Sequence, residues 1–280
     1  MTDAPDLRAL PLVRWLRATS WRARVGALLV LLAAAALLLA ALPPIQQPAD
    51  YYSFADDRTL LGVPRGLDTL SNLPFAIVGL LGLATALRAP RGLRALTATL
   101  FAGVLATAFG SSWFHLAPSP ERLLWDRLPI TVAFMATLAL VLTDRVHPRT
   151  GRVALVPLIT AGVLATLAWY FGPTGAGSGD LRRYILVQAY PLLAIPLCLI
   201  LFAPARLDGH ALLAALGLYA LAKLTEFLDA RIFELGHVVS GHTLKHLLAG
   251  GATWCILVAV RRAGTCPPDA TAAETSLRTT

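Results

Sequence analysis

Charge is scarce in this sequence. Only 14% of its 280 residues are charged, against about a quarter in an average soluble domain. Lysine is nearly missing, at two positions, Lys223 and Lys245, beside 22 arginines. The three cysteines stand apart, Cys198 and Cys255 inside apolar runs and Cys266 in the tail, so no disulfide framework is implied. These shortages exclude an ordinary soluble domain and a stapled secreted one. The apolar runs are continuous and do not alternate with polar residues, which excludes a transmembrane β-barrel. The stretch Gly172 to Gly179 lacks the lysine and following helix of a phosphate loop and reads as a flexible connection.

What is present is hydrophobic: 56% of the chain. Eight runs approach the roughly 20 apolar residues that a helix needs to cross a bilayer. They are Val25–Leu42, Leu67–Leu87, Leu93–Leu116, Leu128–Leu142, Val153–Phe171, Tyr184–Phe202, Ala211–Phe227 and His242–Val260. The expected class is an all-α membrane protein with eight spans. The net charge of +8 would suggest nucleic acid in a soluble protein, but here arginine gathers on every second connection. Arg8, Arg14, Arg17, Arg22 and Arg24 precede the first span; Arg88, Arg91 and Arg94 lie between the second and third. Arg145, Arg149 and Arg152 separate the fourth and fifth, Arg206 the sixth and seventh, and Arg261 and Arg262 follow the eighth. By the positive-inside rule both termini are cytoplasmic, and nucleic-acid binding has nothing left to explain. Abundant alanine, leucine and arginine fit a bacterial host, hence an inner-membrane location. The first run is longer than a signal-peptide core, despite the small Ala40 and Ala41 at its end, and is expected to stay as an uncleaved span. The polar tail, residues 263–280, is expected to be disordered.

Ionisable groups are costly inside a membrane and mark interior or functional positions. Here they cluster. The third run ends in Phe109-Gly110-Ser111-Ser112-Trp113-Phe114-His115, and the fourth is entered through Leu124-Trp125-Asp126-Arg127-Leu128-Pro129. The seventh ends in Lys223-Leu224-Thr225-Glu226-Phe227-Leu228-Asp229, and the eighth opens with Gly241-His242-Thr243-Leu244-Lys245-His246. With the arginine-derived topology, all four clusters fall on the non-cytoplasmic side.

His242 and His246 are four residues apart and share a helix face, a spacing that lets two imidazoles reach one metal ion. His115 is the other span-embedded histidine on that side, and completes a three-ligand set of the kind that leaves zinc an open position for water. Bound zinc brings the pKa of such a water to about 7. Ser111, four residues before His115, projects from the same face and is placed to hydrogen-bond the water or a developing oxyanion; Ser112 sits about 100° round the helix. Asp126 is a candidate for moving the proton. The polar residues also have plainer readings. Lys223 and Glu226 suit an intrahelical pair, and Lys245 suits snorkelling or pairing with an acid on a neighbouring helix. His237 is a spare ligand in a loop, and His147 and His210 are surface residues. A non-catalytic receptor retaining the site, and a transporter with a polar path, are rival functions; neither broken helices nor internal repeats favour the transporter.

The segments Gly110-Ser111-Ser112-Trp113-Phe114-His115 and Leu124-Trp125-Asp126-Arg127-Leu128-Pro129, with the closing His242-Thr243-Leu244-Lys245-His246, resemble the alkaline ceramidases. Asp68-Thr69-Leu70-Ser71-Asn72-Leu73 is similar to the segment opening their first core helix. The superfamily includes progestin- and adiponectin-type receptors and hemolysin III-like proteins. The resemblance implies a seven-helix core over residues 46–262, with residues 1–45 as a basic tail and extra helix. It implies zinc on His115, His242 and His246, with Asp126 and Ser111 as catalytic residues. The reaction implied is hydrolysis of an N-acyl sphingoid lipid, a membrane-lipid substrate, to fatty acid and sphingoid base, with hydrolysis of another lipid amide as the alternative. Animal members also carry calcium near the start of the first core helix. Here Asp50, Asp56, Asp57 and Asp68 occupy that region without the acidic and Trp-containing pattern, which counts against calcium.

Overall fold

A computed structural model gives the fold and describes residues 11–173 and 175–265. Of the tail expected to be disordered, residues 263–265 instead close the last helix, and the rest, with Cys266, lies outside the described residues. Among those described, the chain is helical, without a β-strand. The helices are α1 (Pro11–Ala18), α2 (Trp21–Ala41), α3 (Gly66–Leu70), α4 (Leu73–Arg88), α5 (Arg91–Leu116), α6 (Pro120–Arg145), α7 (Thr150–Tyr170), α8 (Arg182–Leu201), α9 (Gly209–Phe227), α10 (Asp229–Glu234) and α11 (Gly241–Thr265). Eight segments are long and apolar enough to cross a membrane, and each coincides with one of the eight runs. The protein is an all-α, multi-span membrane protein. Cys198 and Cys255 are free.

Two elements differ from the expectation, each for a local reason. The second run is not one continuous helix. Pro74 has no N–H for the Leu70 carbonyl, and the chain turns at Ser71 and Asn72 between α3 and α4. Side chains repair the break: Ser71 Oγ donates to the Asp68 carbonyl at 2.9 Å, and Asn72 Nδ2 to the same oxygen at 3.0 Å. The fourth helix begins at Pro120, well before Leu128. Ser119 caps it, accepting from Arg122 N, and Pro120 at the first position needs no donor there. Asp126 and Arg127 therefore sit within a rigid helix rather than at its approach.

α6 lies at the middle of the bundle, against α5, α7 and α8; α4 packs on α5, and α11 packs between α9 and α4. α2 stays outside against α8 and buries only Leu28. Its attachment is polar as well. Arg17 donates to the carbonyls of Leu199 and Ile200, and Arg24 to that of Leu201. These are carbonyls at the C-terminus of α8, which lack helical donors. That end of the bundle also holds a buried ion pair, Arg145 Nε to Asp144 Oδ2 at 3.0 Å, and the exposed His147 and His210. The polar clusters meet at the other end, where α5 and α9 finish and α6 and α11 begin.

Candidate metal centre

Five residues that share no helix turn except in pairs converge at that end. Ser111, His115, Asp126, His242 and His246 are all buried, His115 to 1% exposure. The ring centroids of the three histidines form a near-equilateral triangle: 4.8 Å from His115 to His242, 4.9 Å to His246, and 4.8 Å between His242 and His246. Their nitrogens lie within 4.8 Å of one another. Among the described residues this is the group of His, Cys, Asp and Glu side chains that can hold a metal ion. His237 lies outside it, in the loop before α11, edge-to-face with Phe233.

Two glycines let the helices come this close. A Cβ on Gly110 would sit 2.2 Å from the Trp125 carbonyl oxygen. That oxygen is the one left without a helical donor by Pro129, four residues on. The proline and the glycine thus complement each other, and α5 approaches α6 beside Ser111 and Asp126. A Cβ on Gly241 would lie 2.1 Å from the Thr225 oxygen and 2.7 Å from Asp229 Cα, so α11 starts in contact with the corner between α9 and α10.

The surrounding hydrogen bonds orient the rings. His246 Nδ1 lies 2.8 Å from Ser71 Oγ and 3.1 Å from the Asp68 carbonyl oxygen. A carbonyl only accepts, and the Ser71 hydroxyl already donates to it. The network therefore assigns the proton to Nδ1 and leaves the Nε2 lone pair free, the usual support for a metal-bound imidazole. His115 Nδ1 is buried with no hydrogen-bond partner. At His242 the Lys245 ammonium donates to Nε2 at 3.1 Å while also reaching Glu226 Oε1 at 2.8 Å. An ion entering the triangle takes that lone pair only if Lys245 withdraws to Glu226, which also pairs with Lys223 as expected. With that movement, the donor set fits a metal.

The sequence did not show how the support of these rings is built. The Asp68 carboxylate accepts from Ser240 Oγ at 3.0 Å and Thr243 Oγ1 at 2.6 Å, fastening α3 to the first turn of α11. Ser240 also caps that helix by accepting from Thr243 N. Asp229 accepts from His242 N at 2.7 Å and Ala55 N at 3.1 Å, joining a candidate ligand to the strap formed by residues 43–65. The strap carries Phe54, whose ring lies 4.7 Å from those of both His115 and His242. Arg58 anchors the strap. It pairs with the buried Asp56 and donates to the carbonyls of His237 and Val238. Those hydrogen bonds hold the Asp56 carboxyl below its ordinary value.

Beneath the triangle is a cavity of about 300 Å³ reaching into the bundle. Ser111, Asp126, Lys245 and His246 line its polar end, and Leu100, Val104, Ile195 and Ile256 its depth. Asp126 Oδ1 is buried there with no hydrogen-bond partner. A multi-span helical protein with buried imidazoles, a buried carboxyl and an apolar chamber is the class that fold and site define. A family model described as Ceramidase matches residues 66–176, which include Ser111, His115 and Asp126. Over that segment, less than half of the chain, the protein is similar to the ceramidase family. His242 and His246 lie beyond the matched segment and join it in space. No curated protein matches the chain.

Proposed function

We propose that the protein is a zinc-dependent hydrolase of the membrane interior, cleaving the amide of an N-acyl sphingoid lipid to a fatty acid and a sphingoid base. The observation that carries this reading is the contact of a buried three-histidine group with a carboxyl, a serine and an acyl-sized apolar cavity. His115, His242 and His246 would hold the zinc, whose chemistry is to acidify a bound water and polarise the amide carbonyl. The chain's own residues do the rest. The cavity takes the acyl chain and brings the carbonyl carbon to the polar end. Asp126 Oδ1, buried and unpartnered, accepts a proton from the attacking water and returns it to the departing amine nitrogen as the C–N bond breaks. The Ser111 hydroxyl, beside the Asp126 carboxyl, donates to the oxygen that gains negative charge. Phe54 excludes bulk water from the imidazoles.

The arginine distribution supports cytoplasmic termini with the site facing the other side, and we read residues 46–262 as the catalytic unit of a bacterial inner-membrane protein. Purified protein should contain one zinc per chain and release fatty acid from ceramide. His242→Ala should lose both. Asp126→Asn should keep the metal and lose turnover by 10²-fold or more. Metal-free protein prepared without chelators would overturn the mechanism. Metal without turnover would favour a receptor of the same superfamily.

A further inference from the structure

Arg127 follows Asp126 on α6 and lines the same cavity. Its side chain is buried, with the residue 5% exposed. Three aromatic rings surround its guanidinium, with centroids 4.0 Å away for Trp169, 4.6 Å for Tyr184 and 5.4 Å for Tyr51. Nη2 donates to Gln47 Oε1 at 2.6 Å, while Nη1 is buried with no partner. Among the described residues no carboxylate lies within ion-pair distance of it, whereas Lys223 and Lys245 are both committed to Glu226. The aromatic faces favour a cation but supply no acceptor in the guanidinium plane. Trp169 Nε1, at 0% exposure for its residue, is also unpartnered. Two buried donors at this corner, Arg127 Nη1 and Trp169 Nε1, thus lack an acceptor, and buried polar groups in native structures are nearly always satisfied.

We propose that Arg127 receives an anionic group carried by the substrate on the amine side of its amide, a carboxylate or a phosphate. The inference rests on the hydrolase reading. The deep end of the cavity is apolar and suits the acyl chain. The guanidinium sits at the opposite, polar end, among Gln47 and Tyr51 of the strap and Tyr184 in the first turn of α8. A lipid held with its carbonyl at Asp126 and Ser111 then has its amine substituent within reach of Arg127. Carboxylate and phosphate both match the fork of a guanidinium, and either would accept from Nη1. A neutral head group would offer it no charged acceptor.

The test compares three lipids with one acyl chain, ceramide, ceramide 1-phosphate and N-acylglycine, on wild-type protein, Arg127→Gln and Arg127→Lys in nanodiscs. Wild type should prefer the phosphate or the carboxylate lipid in kcat/KM, and which one is preferred identifies the group. Arg127→Gln should lower the anionic-to-neutral ratio at least tenfold, and Arg127→Lys should fall between. A wild type that prefers ceramide, or a ratio unchanged in Arg127→Gln, overturns the proposal. If none of the three is cleaved, the hydrolase reading fails, and thermal stabilisation of the same proteins by N-acylglycine decides the subsite. Stabilisation of wild type but not of Arg127→Gln upholds it; equal effects refute it. Arg127→Lys and the melting curves separate lost recognition from lost folding.

Discussion

Replacing Asp229 by alanine should loosen the candidate metal centre without touching any of the three histidine side chains. The carboxylate accepts at 2.7 Å from His242 N and at 3.1 Å from Ala55 N. The first N–H belongs to the opening turn of α11, where no helical acceptor exists, and removing a cap of this kind costs about 0.5–2 kcal/mol. The second is a hydrogen bond to a charged acceptor, worth about 1.5–3 kcal/mol when buried, and less here because Asp229 is half-exposed. Together they come to about 2–4 kcal/mol. That energy is concentrated on opening of the strap and fraying of α11, so local opening constants should rise about 30- to 1,000-fold at 1.4 kcal/mol per decade. Hydrogen exchange reads this directly. Amides of the strap around Phe54 and of the first turn of α11 should exchange faster by such factors, while the middle of α6 stays protected. Asp229→Asn keeps one acceptor oxygen and should fall between. Unchanged exchange at both places in Asp229→Ala would refute the idea that this side chain couples strap to ligand helix.

The other predictions test packing, competition and charge. Gly110→Ala places a methyl 2.2 Å from the Trp125 oxygen; it should cost about 1–3 kcal/mol and depress turnover, whereas Gly217→Ala in α9, with nothing within 4 Å, should melt like wild type. Equal melting of the two variants would contradict the close-approach argument. Lys245→Met removes the cation that holds His242 Nε2; zinc affinity, measured against a competing chelator, should tighten about tenfold or more, given about 1.5–3 kcal/mol for a charged hydrogen bond. Unchanged affinity would show that Lys245 does not compete. The lowered carboxyl of Asp56 makes its contribution to strap stability complete above about pH 3.9 and lost as the pH falls through the lower folded value. Protease cutting within the strap should rise at pH 3 relative to pH 5 and change little from pH 5 to pH 7.

The bundle was legible because eight apolar runs carry their own signal: a bilayer requires length and composition, and both are local. The spacing of Ser111 with His115 and of His242 with His246 is legible for the same reason, since one helix turn fixes it. What brings the two pairs together is not local. The Asp68 bonds to Ser240 and Thr243 span more than 170 residues of sequence, and the fit of Gly110 to Trp125 depends on which two helices touch. The strap was the least legible part. Residues 43–65 have no periodicity, so nothing in their pattern announces that Phe54 covers two imidazoles. Asp229 could be assigned only a structural part from sequence; its two acceptor contacts now say which parts it joins. Nothing in the sequence announces the setting of Arg127, because the aromatic rings that enclose it come from α7, α8 and the strap.

The position of Phe54 has a kinetic consequence. With the Phe54 ring tilted against His115 and edge-on to His242, the imidazoles are shielded from the aqueous face, and on the proposed reading a two-chain lipid would reach the chamber sideways between helices. Encounter then takes place in two dimensions. The rate should follow the mole fraction of substrate in the bilayer rather than its amount per volume, so diluting it with inert lipid slows turnover even when total substrate is unchanged. On the proposed hydrolase reading, a fatty-acid product would leave by the same lateral route and compete for the chamber, so membrane composition itself would govern flux.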